Sequence, residues 1–151
     1  MWKPEERPDY DGPLLLDTHV WIWMLEGDRS RIARAAIPLI ERAAAAGVLL
    51  VCDISFWEVG IKAAKRKLTL SMDAPIWLRR AERAPGVAYI PIDRTLLLHS
   101  TRLPGAMHGD PADRMLVAAA QLHAAPLVTV DKGIIGYAAA HHGVPVCDVR
   151  P

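Results

Sequence analysis

Leu14-Leu15-Leu16-Asp17 near the start and Leu127-Val128-Thr129-Val130-Asp131 near the end share one pattern, an apolar run closed by an aspartate. Neither run alternates apolar with polar residues. Each therefore reads as a strand buried on both faces, the form strands take inside a parallel sheet. Three more runs have the same character: Val48–Cys52, Val87–Ile92 and Val144–Cys147. Helical spacing fills the gaps. Ser30 can cap a helix through the Ala-rich Ala33–Ala46 stretch, with Gly47 as its stop. Trp57, Ile61, Ala64 and Leu68 fall on one face of a second helix, and Met115, Ala118, Ala119 and Leu122 on one face of a later one. Strands alternating with helices predict an α/β fold, a doubly wound parallel sheet of about five strands with helices on both faces.

At 151 residues this is one domain. The hydrophobic share of 52% suits a real core, and a net charge of +1 neither demands nor excludes a nucleic-acid partner. Residues 1–13 are charged and Pro-rich, with no apolar segment typical of a signal peptide, and are expected to form a flexible leader before a domain spanning 14–151. No apolar stretch reaches the ~18–20 residues that span a bilayer. A cytoplasmic protein is expected, with Cys52 and Cys147 as free buried thiols.

The acids carry the chemistry. Asp17 and Asp131 end two strands, and ligands of open parallel sheets bind beyond the carboxyl ends of the strands, where connections part to opposite faces. Glu58 sits at a helix start that follows the second strand. Asp113 opens a later helix in Asp110-Pro111-Ala112-Asp113, with Pro111 suited to the first helical position. Each acid has a plain structural alternative: a capping box for Ser55 and Glu58, a helix-dipole contact for Asp113, turn roles for Asp17 and Asp131. Connectivity does not by itself bring Asp113 to the others. Acids that do gather at one edge repel, and either take up protons or collect a cation. A hard divalent ion, Mg²⁺ or Mn²⁺, suits oxygen ligands, steadies charge on a phosphate and lowers the pKa of water. No Cys/His pair has zinc spacing.

Four motifs, Leu14-Leu-Leu-Asp-Thr-His-Val-Trp21, Ser55-Phe-Trp-Glu-Val-Gly-Ile-Lys62, His108-Gly-Asp-Pro-Ala-Asp-Arg114 and Thr129-Val-Asp131, resemble the PIN domain, in particular the VapC-type toxins of bacterial toxin–antitoxin pairs. The resemblance covers about residues 14–148. It implies a metal-dependent endoribonuclease with Asp17, Glu58, Asp113 and Asp131 as its acidic quartet. Asp17 and Asp113 would be the most direct ligands, with Glu58 and Asp131 assisting. It also implies a homodimer and a cognate antitoxin that fills the active-site groove. Two features depart from the family: Ala112 stands where relatives usually carry Phe, and the leader before Leu14 is longer than usual.

Around the quartet, Thr18 and Thr129 offer hydroxyls that could orient carboxylates, as the resemblance suggests. Asp110 reads as a helix cap or as a partner of the ligands. Arg114 reads as a phosphate-steering group or as the partner of a nearby acid. His108 reads as an exposed loop histidine, with contact to RNA or the acids as the alternative. Lys62, Lys65, Arg66 and Lys67 form a candidate RNA-guiding patch, although most charge runs are only solvated faces. Trp21 and Trp23 lie two apart and cannot share a helix face, which leaves one to meet a partner subunit.

Two other functions compete with the nuclease. A module that binds RNA or protein without cutting would gain nothing from clustered acids. An aspartate-nucleophile phosphatase needs a second Asp two residues after the first, where this chain has His19, and no Gly-rich phosphate loop is present. A nuclease unpaired with any antitoxin is the remaining alternative.

Overall fold

The five apolar runs form one sheet in the order β3-β2-β1-β4-β5, with every pairing parallel, in a computed structural model that describes all 151 residues. β1 (Leu14–Leu16) is central. The chain winds outward from it through β2 (Leu49–Cys52) and β3 (Val87–Ile90), then returns to its other side for β4 (Leu127–Thr129) and β5 (Val146–Asp148). The winding reverses between β1 and β4, the strands that lead into Asp17 and Asp131. Pro91 and Pro145 lack the N–H a ladder needs, which shortens β3 and delays β5 relative to the sequence reading.

Seven helices cover both faces: α1 (Thr18–Glu26), α2 (Ala36–Ala45), α3 (Ile54–Ala64), α4 (Ala74–Glu82), α5 (Arg94–Ser100), α6 (Pro111–Leu122) and α7 (Lys132–Ala140). Adjacent strand residues point oppositely. Leu15 accordingly joins a core with Leu116 and Ile134, while Leu14 and Leu16 join a second core with Trp21, Ile40 and Trp77. Ala112 is buried in the first core. Cys52 and Cys147 are free and buried, and burial pushes their thiols up to about 11 and about 12.

Three local expectations change. Ser30 does not cap α2; its hydroxyl bonds Asp28 in a 3₁₀ turn, and α2 begins after Ala35, with Gly47 ending it at φ +72°. The buried face of α3 is Ile54, Ser55, Glu58 and Val59, whereas Trp57 and Ala64 are exposed and Leu68 lies beyond the helix. Residues 1–13, expected as a flexible leader, run along the sheet edge. Trp2 exchanges backbone hydrogen bonds with Val146 and Asp148 and packs on Tyr10, while Arg42 holds the carbonyls of Pro8 and Tyr10. An added bridge of this kind covers the open edge of β5.

Candidate active site

Asp17 leaves β1 and caps α1 at once, its Oδ1 accepting the Thr18 N–H at 2.7 Å. Its Oδ2 accepts the Thr129 hydroxyl at 2.5 Å, a bond between neighbouring strand ends that are 112 residues apart in the chain. Thr129 in turn accepts the Asp131 N–H at 3.0 Å, which ties the β4 end to the β1 end. Asp131 caps α7 through the Ile134 N–H at 2.9 Å. Its capping role and its place at the site are thus compatible, since a carboxylate has lone pairs for both.

Glu58 approaches from α3. Its Oε1 accepts the Thr18 hydroxyl at 2.6 Å, and Ser55 Oγ lies 2.7 Å from the same hydroxyl. No capping box forms, because α3 starts at Ile54, and Ser55 inside the first turn bonds across to Thr18. Lys62, one turn on, reaches Glu58 Oε2 at 3.3 Å. Asp113 arrives on the first turn of α6, which Asp110 caps by accepting the Asp113 N–H at 3.1 Å. α6 feeds β4 and runs back against it, so its first turn stands at the carboxyl edge.

Together these residues line a cleft of about 180 Å³ in which Asp17, Glu58, Asp110, Asp113 and Asp131 face a single lysine, Lys62, with His19 at the wall. A larger concavity of about 720 Å³ lies elsewhere, among Trp2, Arg7, His99 and His142, and is lined by no carboxylate. Charge chemistry singles out the smaller cleft. Burial raises Asp17 to about 6 against the pull of the Thr129 hydrogen bond, and Glu58 and Asp131 raise it further. Burial raises Asp113 to about 8, reinforced by Asp110, Asp17, Asp131 and Glu58. His19 is pushed down by burial and then by Lys62.

Repulsion of this kind is what a divalent cation relieves. The donor set fits a hard ion: carboxylates dominate and no thiolate is present. The tightest group of potential ligand atoms comes from His108, Asp113 and Asp131, all within 4.8 Å of one another.

The remaining sequence expectations divide. Thr18, Thr129 and Asp110 each bond a quartet residue. Arg114 meets neither phosphate-facing space nor an acid; it donates to the carbonyls of Ser100 (2.9 Å) and Met107 (3.1 Å), pinning the loop before α6. Of the basic group only Lys62 borders the cleft, since Lys65, Arg66 and Lys67 follow the end of α3 and are exposed. Trp21 is buried, and Trp23 is the more exposed of the pair. His19 was missed as a wall residue; its place two residues after Asp17, on the first turn of α1, was the available signal. His108 lies closer to the acids than its loop position suggested, its Nε2 3.3 Å from Asp113 Oδ2.

The PIN domain family model matches residues 14–140. Ribonuclease VapC22 of Mycobacterium tuberculosis is 33% identical over 119 residues, which cover 79% of this chain and 87% of that protein. A solved toxin–antitoxin complex from Klebsiella pneumoniae contains a chain that superposes with a TM-score of 0.56 at 24% identity, covering 82% of this chain and 91% of its own, a likeness of fold.

Proposed function

The chain belongs to the PIN domain family, and on that footing we propose that it is a Mg²⁺- or Mn²⁺-dependent endoribonuclease acting as the toxin of a toxin–antitoxin pair. The observation that carries the reading is the gathering of Asp17, Glu58, Asp113 and Asp131 around one small cleft with too little cationic charge to balance them. When bound there, the ion supplies charge neutralisation at the phosphate and a more acidic water as nucleophile. Asp113 and Asp131, at the starts of α6 and α7, and Asp17 and Glu58, from the end of β1 and from α3, are the residues that would hold it. Thr18 and Thr129 fix the carboxylates in place through their hydroxyls. Lys62 stands where it can meet a phosphate without leaving Glu58, and Lys65, Arg66 and Lys67 extend positive charge along the RNA path.

The relatives support an antitoxin partner, since one is a VapC ribonuclease and another comes from a toxin–antitoxin complex. Two copies per assembly is our reading of the large exposed apolar side chains, Trp57 and Leu98, both 59% exposed. No helix is long and apolar enough to cross a membrane, and we place the protein in the cytoplasm.

Asp113→Asn tests the reading. It should keep the circular dichroism of the wild type and lose cleavage of RNA in Mg²⁺ or Mn²⁺ by about 100-fold or more. Cleavage at the wild-type rate would sink the nuclease. The toxin role stands or falls separately: expression should arrest growth, co-expression of a small protein encoded next to it should relieve the arrest, and unimpeded growth with soluble protein present counts against it.

A further inference from the structure

We propose that His108 is a nitrogen ligand of the ion in this cleft and biases it toward Mn²⁺ over Mg²⁺; the inference rests on the metal-dependent reading above. Three observations carry it.

His108 belongs to the tightest ligand triad in the molecule, with Asp113 and Asp131, at separations up to 4.8 Å. Opposite ligands on an ion of this size are about 4.2 Å apart. The triad is therefore near closing distance, and the imidazole supplies a donor of a different kind from the carboxylates around it.

Space for the ring is kept by a missing side chain. A Cβ placed on Gly133, in the first turn of α7, would come within 3.3 Å of His108 Nε2 and 3.1 Å of Asp131 Oδ1. Both are tighter than ordinary contact, so glycine lets the imidazole lie beside Asp131.

The loop that carries His108 is held from behind. Arg114 binds the Met107 carbonyl, one residue before His108, and ties it to Ser100 at the end of α5. That gives Arg114 a positioning role in place of the phosphate contact its sequence position suggested. Nδ1 of His108 faces the Asp110 N–H at 3.4 Å, longer than the usual ~2.7–3.2 Å hydrogen bond. Ligation through Nε2 moves the ring proton to Nδ1, gives up this weak contact and replaces the direct 3.3 Å approach of Nε2 to Asp113 Oδ2 with a shared ion.

The chemical consequence is selectivity. Mg²⁺ is small, hard and parts reluctantly from its waters, whereas Mn²⁺, which shares its taste for carboxylate oxygen, is larger and exchanges a water for an imidazole nitrogen at less cost. A site of carboxylates alone has no such bias.

Pulsed electron paramagnetic resonance on the protein loaded with Mn²⁺ reads the bond directly. Wild type should show ¹⁴N modulation from a coordinated imidazole. His108→Ala should bind Mn²⁺ about tenfold more weakly, without that modulation, and leave Mg²⁺ affinity, measured by competition, within about twofold. His19→Ala, which removes the histidine that lines the cleft, should keep the modulation. Bound Mn²⁺ without ¹⁴N modulation in wild type, or modulation that survives His108→Ala, overturns the proposal while leaving the metal site standing. If His108→Ala misfolds, the wild-type and His19→Ala spectra decide together, and loss of the modulation in His19→Ala overturns the proposal. Failure of wild type to bind either ion overturns both this inference and the metal-dependent reading.

Discussion

Asp17 and Asp148 are both aspartates at the carboxyl ends of parallel strands, both nearly inaccessible to water, and their electrostatics are opposite. Asp148 meets Arg150, whose guanidinium approaches at 2.7 to 3.2 Å in a two-pronged contact. Burial works to raise the Asp148 pKa, and the Arg150 hydrogen bonds and charge outweigh it, leaving a net depression. Asp17 has no cation within salt-bridge reach. It has hydrogen bonds from Thr18 and Thr129, with other acids beyond them, and its pKa rises to about 6. A buried acid that serves the fold carries its counter-charge in the same chain. One left without it is held ready for a charge from outside.

The contrast can be broken experimentally. The largest effect should come from Asp17→Asn, which should cut RNA cleavage by about 100- to 1000-fold, the scale of losing one preorganised electrostatic group. Its metal-free Tm at pH 8 should not fall, because the variant removes repulsion. A variant that cleaves normally or unfolds would erase the distinction between the two aspartates.

Next is Thr18→Val, which deletes the hydroxyl joining Ser55 to Glu58. Activity should drop by about 10- to 100-fold, as for partners that orient metal ligands. Wild-type kcat with this variant would mean that Glu58 needs no such support.

The third concerns pH. Asp17 and Asp113 hold protons where the unfolded chain, near its ordinary 3.8, has released them. Over that window the unfolded state binds fewer protons, so metal-free stability from these groups falls as pH rises through about 6 and about 8. The Tm of Asp113→Asn relative to wild type should therefore climb toward pH 8 without metal, and saturating Mn²⁺ should reverse the trend by raising wild type alone. A difference flat with pH would refute the raised pKa values. The depressed Asp148 works the other way, its contribution lost as pH falls below about 3.8.

The smallest effect on function is the sharpest control. Asp148→Asn should leave cleavage per folded molecule unchanged and lower Tm by a few degrees in thermal melts. A loss of cleavage would show that the outer strand end belongs to the site after all.

How much of this was legible in the chain varies with range. Strand runs, the acids that close β1 and β4, the Asp110–Pro111 start of α6 and the Gly47 stop of α2 all follow from local rules of burial, capping and backbone freedom. Those rules act within a few residues, so the sequence alone reaches them. The face of α3 was misread because periodicity marks an apolar stripe without saying which side meets the core; Trp57 carries apolar surface and is turned out. The leader was misread because charge and proline suggest looseness, while Trp2 finds an open strand edge that only the assembled sheet provides.

Sequence by itself determined the sheet and its parallel sense and put Asp17 and Asp131 at strand ends, since each depends on short-range pattern. Tertiary structure decided that Asp113 and His108 come to Asp131, that Thr129 bonds Asp17, that Arg114 braces a loop, and which buried aspartate is left without a cation. Those are matters of ångströms between residues far apart in the chain. They are set by how helices pack on the sheet, which no local pattern encodes.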